Sequence, residues 1–181
     1  SAPTDPEVRL GVKFAPNGSA FKRGLAQLQP GDQIVASQLA GGFTLPRNPN
    51  RKLVFIAGGI GITPFRSMLG ELLARGEARP ITILYGNNRI EEIAYADLLK
   101  RAREELAIPT YYAVRDGNGA APDMTVGFVD EAMIRTRVPD FGTRTFYVSG
   151  PQAMVSATRD TLLGMGVHRR RIKTDFFPGL A

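Results

Sequence analysis

The feature that most constrains this chain is an apolar run that passes directly into a glycine turn and then into a helix. Residues 53–57 are all apolar, which is typical of a central parallel strand covered on both faces. Three glycines follow this run, namely Gly58, Gly59 and Gly61. Glycine allows a tight turn and lets a ligand come close to the backbone. Thr63 is predicted to cap the next helix, with Pro64 at its first position.

The predicted turn has the properties of a phosphate site. A helix that begins after such a turn presents unpaired backbone N–H groups and a partial positive charge, and both attract phosphate. The turn lacks the Gly-Lys-Ser/Thr ending of a nucleotide triphosphate loop, so triphosphate hydrolysis is not supported. For the glycines alone, two interpretations remain open: a diphosphate site, and a tight connection that binds nothing.

Composition limits the class of protein. The chain has 181 residues, of which 43% are hydrophobic and 22% charged, as in ordinary globular proteins. No run approaches the length of a membrane span, and we expect a cytoplasmic protein, with the cytoplasmic face of a membrane as the alternative. There is no cysteine, and His168 is the only histidine, so no metal site is predicted.

The formal net charge of +6 permits an acidic partner, anionic lipid or nucleic acid. Nucleic acid ranks last, because there is no tryptophan and the basic residues are scattered except at residues 169–171. No nucleic-acid partner is therefore predicted. A solvated cationic surface is the simplest interpretation of the charge.

The pattern of apolar residues and turn signals in the sequence changes near residue 50. Short apolar pieces such as residues 8–14 and 33–37 lie between turn signals and predict antiparallel strands. From residue 51 onward, strands alternate with helical segments, which indicates a parallel sheet with crossover helices. The turn-rich linker Pro46-Arg-Asn-Pro-Asn50 joins the two regions.

The predicted fold class is α/β. It is a doubly wound five-stranded parallel sheet with helices on both faces, preceded by a partial antiparallel β-barrel. The strands are expected near residues 53–57, 81–86, 109–114, 144–149 and 170–176. The helices are expected near residues 64–75, 91–106, 129–137 and 151–165.

Ligands of such sheets bind beyond the carboxyl ends of the strands, where the strand order reverses. The ends of the second, third and fourth strands are Tyr85-Gly-Asn-Asn-Arg89, Val114-Arg115-Asp116 and Val148-Ser-Gly-Pro151. We expect them to converge with the glycine turn on one rim. Gly150 at a cap and Pro151 at the first helical position would add a second anion-favouring point.

Four motifs together resemble the ferredoxin-NADP reductase superfamily. They are Ala57-Gly-Gly-Ile-Gly-Ile-Thr-Pro-Phe65, Tyr85-Gly-Asn-Asn-Arg89, Ser149-Gly-Pro-Gln-Ala-Met154 and Asp175-Phe-Phe-Pro-Gly179. They occur in the order and spacing of that superfamily, and the resemblance extends from about Leu25 to the end of the chain. It implies a flavin-dependent oxidoreductase in which hydride passes from NADH or NADPH to FAD or FMN, and electrons then pass to a redox acceptor protein or domain.

The resemblance also implies a division of the chain and roles for particular residues. Residues 1–50 are expected to be the truncated second half of a flavin-binding barrel, and residues 51–181 the NAD(P)-binding domain. The expected catalytic residues are Ser149, where many members carry cysteine, Asp175, which replaces the usual glutamate, and Phe177. The expected cofactor-binding residues are Gly58, Gly59, Gly61, Thr63, Pro64, Gly150, Pro151, Met154 and Lys22.

Two arginines bear on the choice of nucleotide. Arg89 and Arg115 follow the second and third predicted strands, where a 2′-phosphate or a ribose would lie. A charge-assisted hydrogen bond to phosphate is worth about 1.5 to 3 kcal/mol, more than a helix dipole contributes. The two arginines favour NADPH slightly. Because exposed charges usually contribute little, two solvent-facing arginines remain an equal alternative, and the choice between the nicotinamides stays open.

The chain also departs from the superfamily pattern. The Arg-x-Tyr-Ser flavin motif normally lies just upstream of a stretch like Ser1-Ala2-Pro3, and it is absent. We therefore expect a fragment of a larger reductase, inactive and nearly free of flavin when alone, whose earlier part is membrane-embedded in one interpretation. The alternative function is a non-catalytic nucleotide-binding or interaction module with the reductase fold.

Overall fold

A computed structural model describes residues 1–12, 14, 19–35 and 41–177. Its centre is a parallel sheet with the strand order β4-β3-β2-β1-β5-β6. The strands are β1 (Leu53–Gly58), β2 (Ile81–Asn87), β3 (Thr110–Val114), β4 (Thr125–Val126), β5 (Thr145–Pro151) and β6 (Ile172–Phe177). The order reverses at β1, which lies between β2 and β5.

The described residues form five α-helices, of which α2 to α5 pack on the sheet. They are α1 (Ala20–Gln27), α2 (Thr63–Arg75), α3 (Ala96–Leu106), α4 (Glu131–Arg137) and α5 (Gln152–Gly164). Buried residues of α2 and α3 pack on one face, and those of α4 and α5 pack on the other. Across the described ranges, no helix combines the length and the apolar character needed to cross a bilayer.

The central strand follows directly from its sequence. Every residue of β1 is buried, as expected for a strand with helices on both faces. Phe55 points into the core under α2 and α3, whereas Val54 and Ile56 point into the core under α4 and α5. The predicted α/β fold with a doubly wound parallel sheet is confirmed. The sixth strand, β4, escaped prediction because it has only two residues.

The helix predicted over residues 91–106 begins later than expected. A short 3-10 turn spans Ile90–Glu92, and α3 starts at Ala96. Tyr95, just before α3, has a φ of 59°, a left-handed conformation that interrupts a right-handed helix. Helix α4 likewise starts at Glu131, because the side chain of Asp130 caps it by accepting a 2.8 Å hydrogen bond from the Met133 N–H.

The first fifty residues differ most from the prediction. The strands expected at residues 8–14 and 33–37 are wrong for their described part, since no described residue before β1 is in a strand. Residues 13, 36 and 37 lie outside the described residues. A strand needs a neighbouring strand to complete its backbone hydrogen bonds. The backbone hydrogen bonds of this region instead close local turns, as in the 3.0 Å bond from the Asp32 N–H to the Gln29 carbonyl oxygen. The region contains α1 instead.

The linker, taken together with the three residues before it as residues 43–50, anchors this region to the sheet. Phe43 packs against Tyr147 and Phe65, with ring centroids 5.2 and 5.7 Å away. The Tyr147 hydroxyl donates a 2.8 Å hydrogen bond to the Thr44 carbonyl oxygen. Two residues after Thr44, the Pro46 carbonyl oxygen accepts a 2.7 Å hydrogen bond from the Arg79 guanidinium. The linker is thus held by an aromatic cluster and by two hydrogen bonds.

A second attachment joins the first residues to α2. Ala2 is buried, and its Cβ lies 3.0 Å from where a Cβ on Gly70 would be. Asp5 forms an ion pair with Arg66, and the hydrogen bond from Arg66 holds the pKa of the Asp5 carboxyl below its usual value. The N-terminal segment therefore lies along α2, on the same side of the sheet as the linker.

We predict that Phe43→Ala lowers the free energy of unfolding by about 2 kcal/mol, because it removes a ring from the cluster with Phe65 and Tyr147. Phe21→Ala is the matched control, since Phe21 is 72% exposed on α1. Urea unfolding followed by circular dichroism measures both. Equal effects of the two substitutions would show that the linker does not anchor the N-terminal region.

Candidate functional site

The carboxyl ends of β1, β2 and β5 form the candidate site. The strand order reverses here, which is where open parallel sheets bind ligands. The register places Gly58 of β1 opposite Gly86 of β2, and Ala57 opposite Ser149 of β5. The predicted motifs that follow these strands therefore meet at one edge.

The glycine turn packs directly on the end of β5. A 3-10 turn over Gly59–Ile62 connects β1 to α2, and Gly59 has a φ of 51°, which glycine adopts readily. A Cβ at Gly61 would lie 2.2 Å from the Ser149 carbonyl oxygen and 2.6 Å from the Gly150 Cα. No side chain fits in that space. The two predicted turns are therefore in contact.

Met154 of α5 lies against both turns. Its Sδ is 2.7 Å from where a Cβ on Gly58 would be and 2.9 Å from where a Cβ on Gly150 would be. A Cβ on Gly150 would also lie 3.2 Å from the backbone nitrogen of Gly58. Gly58 and Gly150 thus leave the space that the Met154 thioether fills. This contact places Met154 at the junction of the two turns.

Two predicted helix starts are shifted. Thr63 is the first residue of α2 and makes no capping hydrogen bond with its side chain, so its prediction as a cap is wrong. The reason is that the 3-10 turn runs directly into α2, so Thr63 already has helical backbone angles, with a φ of −60° and a ψ of −43°. Pro151 precedes α5 rather than beginning it, because it still pairs with Phe177 of β6. No side chain caps the 3-10 turn or α5.

The three predicted catalytic residues occupy adjacent strand ends. Ser149 of β5 pairs with Asp175 of β6, and Pro151 pairs with Phe177. Directly paired residues of neighbouring strands face the same side of a sheet, so Ser149 and Asp175 share the side that α2 covers. Ser149 is fully buried, and its Oγ has no hydrogen-bond partner within the described residues. The register brings the three positions together.

The turns that follow β2 and β3 are bonded to each other. The Arg115 N–H donates to the Asn87 carbonyl oxygen at 3.0 Å, and the Asp116 N–H donates to the Asn88 carbonyl oxygen at 2.8 Å. Arg89 follows Asn88 directly, so the two predicted arginines lie in adjacent turns. This pairing puts both cations at the carboxyl edge, on the β2 side of the glycine turn.

The two arginines differ in their surroundings. The Arg115 guanidinium carbon lies 5.6 Å from the centre of the Phe128 ring, within the range of a cation–π contact. Arg89 is 65% exposed, and one of its guanidinium nitrogens lies 3.9 Å from a Glu92 carboxylate oxygen. Phe128 is an exposed aromatic that the sequence analysis missed, because it follows a strand too short to give a pattern.

Lys22 lies in the first turn of α1. Its N–H donates a 3.4 Å hydrogen bond to the Ser19 Oγ, which caps the helix. None of the residues of α1 is buried. The role assigned to Lys22 stays a prediction.

Two clefts border the glycine turn. The larger, of about 250 Å³, lies between Arg9 and Gly11 of the N-terminal segment and Thr63 and Tyr95. A Cβ at Gly11 would be 2.9 Å from the Thr63 Cγ2, so the N-terminal segment touches the start of α2. The smaller cleft, of about 220 Å³, is lined by Val12, Gly59, Ile60, Glu92 and Ala94.

Buried polar groups flank the glycine turn on both sides. The Ser149 Oγ lies on the β5 side, and the Asn87 carboxamide lies on the β2 side. Neither has a hydrogen-bond partner within the described part of the chain. Buried polar atoms are normally paired, so unpaired ones beside a glycine turn fit a site for a polar ligand. A dinucleotide with phosphate and hydroxyl groups meets that description.

Tyr85 of β2 connects the sheet to the segment before α3. Its hydroxyl accepts a 3.3 Å hydrogen bond from the Ala94 N–H. Burial raises the pKa of the Tyr85 hydroxyl above its usual value, and the Ala94 hydrogen bond offsets only part of that rise. Tyr85 therefore stays neutral at ordinary pH and ties the segment before α3 to the sheet.

Comparison with known proteins assigns the chain to a family. The oxidoreductase NAD-binding domain family matches residues 55–160, more than half of the chain. The reductase component of phenol 2-monooxygenase from Pseudomonas sp. (strain CF600) is 32% identical over 94% of this chain and 49% of its own length. A flavohemoprotein from Bordetella pertussis is also 32% identical, over 83% of this chain and 39% of its own length. The chain belongs to the oxidoreductase NAD-binding domain family and spans 39% to 49% of the length of these two curated relatives.

Solved structures share the fold. The cytochrome P450 reductase from Amycolatopsis superposes with a TM-score of 0.75 over 92% of this chain and 50% of that one, at 24% identity. A ferredoxin-NADP reductase from Neisseria gonorrhoeae, solved with bound FAD and NADP, gives a TM-score of 0.70 over 91% of this chain and 71% of that one, at 23% identity. The predicted membership of the ferredoxin-NADP reductase superfamily is confirmed.

We predict that Gly61→Ala lowers the free energy of unfolding by about 3 kcal/mol or more, because the new Cβ would overlap the Ser149 carbonyl oxygen. Gly59→Ala is the matched control. It meets no atom within 4 Å, and the left-handed backbone costs about 1 kcal/mol. Thermal and urea unfolding of the two variants compares them. A larger loss for Gly59→Ala would contradict the packing described here.

Proposed function

We propose that this chain is the NAD(P)H-binding portion of a flavin-dependent oxidoreductase, which passes hydride from nicotinamide to FAD and electrons onward to an acceptor protein or domain. The observation that carries the proposal is the contact of the Gly59–Ile62 turn with the end of β5. It brings two uncapped helix starts together at the point where the strand order reverses. FAD supplies the redox chemistry when bound, and the protein supplies binding and orientation.

We assign the linked phosphates of the nucleotide to the two turns. Backbone N–H groups at uncapped helix starts donate to phosphate oxygens, and the helix dipole adds a partial positive charge. Gly58, Gly59 and Gly61 let the backbone approach the ligand, and Thr63 and Pro64 begin the helix behind it. Gly150 and Pro151 form the facing wall, and Met154 holds the two walls against each other.

We assign the nicotinamide to the β5 side of the turns. Ser149 is the group nearest the reacting end in this assignment, and its unpaired Oγ has a donor and two acceptor sites to orient the ring. Asp175 lies beside it on β6, on the same side of the sheet. Phe177, two residues further along, is assigned to the flavin side. A carboxylate one methylene shorter than glutamate reaches less far, so hydride transfer is expected to be slower than with glutamate.

We propose that residues 1–50 are part of a flavin-binding barrel and that residues 51–181 are the nucleotide domain. The anchoring of Phe43 and Thr44 on the sheet supports a fixed position for this first region. Ser19 caps α1 near Lys22, and an ammonium in that first turn suits a flavin phosphate. The barrel strands would pair with sequence that only the longer relatives contain, since this chain covers about half of them.

The relatives support the direction of electron flow. The matched proteins are named as reductase components of phenol 2-monooxygenase and terephthalate 1,2-dioxygenase, and as flavohemoproteins. We propose by analogy that the acceptor is a protein or domain with its own redox centre, and that the protein acts in the cytoplasm. A membrane-embedded upstream region is not part of the proposal.

Calorimetric titration of the chain with NADPH and with NADH tests the proposal. We expect saturable binding of at least one of them below millimolar concentration. The reason is that this chain contains both the turns assigned to the diphosphate and the two arginines. Nicotinamide alone is the control and should bind far more weakly. Absence of binding by either dinucleotide at several millimolar would overturn the assignment.

We predict that Arg115→Ala weakens NADPH binding about tenfold or more and changes NADH binding much less. The reason is that a charge-assisted hydrogen bond to the 2′-phosphate is worth about 1.5 to 3 kcal/mol. Arg159→Ala, on the exposed surface of α5, is the control. Equal losses for the two nucleotides would place the 2′-position elsewhere.

A non-catalytic module with the same fold is the second candidate. Two observations favour it: Ser149 stands where many members of the superfamily carry cysteine, and no described residue before β1 is in a strand that could hold flavin. The absorbance spectrum of the longer native protein separates the two candidates. A flavin spectrum supports the reductase, whereas a colourless protein that still binds nucleotide supports the module. The chain alone should show negligible diaphorase activity in either case.

A further inference from the structure

The positive charge of this chain is concentrated in three short segments that are far apart in the sequence. They are residues 47–52, 138–144 and 165–171. Together they hold seven of the 23 lysines and arginines, but only one of the 17 acidic residues, Asp140. Their net charge therefore equals the +6 of the whole chain, and the other residues include as many acidic as basic side chains.

The fold brings the three segments to one edge of the sheet. They lead into β1, β5 and β6, which are neighbours and run parallel, so the segments meet at the amino edge. The Thr145 N–H donates a 3.0 Å hydrogen bond to the Lys52 carbonyl oxygen. The Arg171 guanidinium donates a 2.7 Å hydrogen bond to the Gly142 carbonyl oxygen. Each segment is thus bonded to the next, and we call the surface that they form the basic edge.

Most cations of the basic edge have no acidic partner. Lys52 and Arg144 share the Asp140 carboxylate, with nitrogen–oxygen distances of 2.9 and 2.6 Å. The remaining cations are five exposed arginines without a carboxylate partner among the described residues, namely Arg47, Arg51, Arg169, Arg170 and Arg171. Like charges held close together repel each other and lower the stability of the folded chain. An anionic partner bound at this edge would remove that repulsion.

The size and the composition of the basic edge indicate which anion fits it. Neighbouring strands lie about 4.8 Å apart, so three strands span about 10 Å, the width of a single cluster of anionic groups. Six of the seven cations are arginines. A guanidinium can bind a carboxylate through two parallel hydrogen bonds, which makes arginine well suited to recognise carboxylates. A cluster of acidic side chains on a protein surface has the matching size and chemistry.

Lipid and nucleic acid fit the basic edge less well. None of the large apolar residues that are exposed in the described part of the chain lies in the three segments. The charge is therefore not accompanied by an apolar anchor of the kind that inserts into a membrane interface. The same observation means that no exposed aromatic ring of these segments is available to stack on a base.

The basic edge lies at the opposite end of the strands from the glycine turn. Strand β1 has six residues, and a strand rises about 3.3 Å per residue, so the two edges are about 20 Å apart. A partner bound at the amino edge therefore leaves the turns after β1 and β5 open.

We propose that the basic edge is a docking surface for a protein that presents a cluster of aspartate and glutamate carboxylates. The exposed arginines bind these carboxylates through charge-assisted hydrogen bonds. Arg144 has a structural part, because its side chain is largely buried and donates hydrogen bonds to Asp140 and to the Leu53 carbonyl oxygen. The docking surface goes beyond the proposed function and does not depend on it, since it lies away from the nucleotide site.

The test is the double variant Arg169→Gln/Arg170→Gln, with fluorescently labelled polyglutamate as the probe and anisotropy as the measurement. At physiological ionic strength we expect the dissociation constant to rise about 5- to 10-fold, because two exposed charge pairs are lost. Thermal unfolding should be unchanged, since neither side chain has an ion-pair partner among the described residues. An unchanged dissociation constant would overturn the inference.

Lys100→Gln/Arg103→Gln is the matched control. Both side chains are exposed on α3, and the double substitution removes the same amount of charge from a different face of the protein. We expect it to change the affinity for polyglutamate less than twofold. Equal losses in the two double variants would show that the probe responds to net charge alone, and that result would also contradict a docking surface at the basic edge.

Two further measurements locate the contact and identify the class of partner. Polyglutamate should shift the backbone amide resonances of residues 51–52 and 169–171 most, and shifts confined to the glycine turn would place the contact at the wrong edge. Vesicles that contain phosphatidylserine and a DNA duplex should each bind more weakly than polyglutamate at the same concentration of anionic groups. If either binds more tightly and loses that binding in Arg169→Gln/Arg170→Gln, the surface serves lipid or nucleic acid and the choice of a protein partner is wrong.

Discussion

The structure depends on one close contact between backbones, where Gly61 lies against the carbonyl group of Ser149. A side chain at position 61 would separate the end of β1 from the end of β5. Those two strands are neighbours at the reversal of the strand order, so their separation would open the place where such sheets bind ligands. The glycines of this motif therefore first serve the packing of two turns, and the approach of a ligand follows from it.

This contact divides the carboxyl edge into two chemically different sides. Toward β6 lie the buried hydroxyl of Ser149 and the carboxylate of Asp175, which pair directly in the register. Toward β3 lie Arg89 and Arg115, in turns that share backbone hydrogen bonds. A dinucleotide has the same asymmetry, since its nicotinamide is not charged in the reduced form and its adenosine end can carry a phosphate.

The sequence predicted those parts of the fold that depend on local pattern. The run of β1 contains no polar side chain, and every residue of this strand is buried in the structure. Errors arose where neighbours in space decide the outcome. Thr63 is not a cap because the 3-10 turn before it runs directly into α2 and leaves Thr63 in a helical conformation, and α5 begins later because Pro151 pairs with Phe177.

The same limit explains what the sequence could not reveal. The segments before residue 50 have the composition of strands, but a strand forms only where another strand accepts its hydrogen bonds. Ser149 was visible as part of a motif, yet only the packed structure shows that its hydroxyl is buried and has no partner among the described residues. Patterns of apolar residues identify the scaffold, whereas the state of individual polar groups must be read from the fold.

The central claim is that the backbone amides of the turn after β1 and of the turn after Ser149 together hold the linked phosphates of a pyridine nucleotide. The most direct measurement is the change in amide ¹⁵N and ¹H chemical shifts on addition of NADPH. The account predicts that the largest shifts fall on Gly59 to Thr63 and on Gly150, and that they saturate together with one dissociation constant. Shifts confined to other parts of the chain, or no saturable shift in either turn, would contradict it.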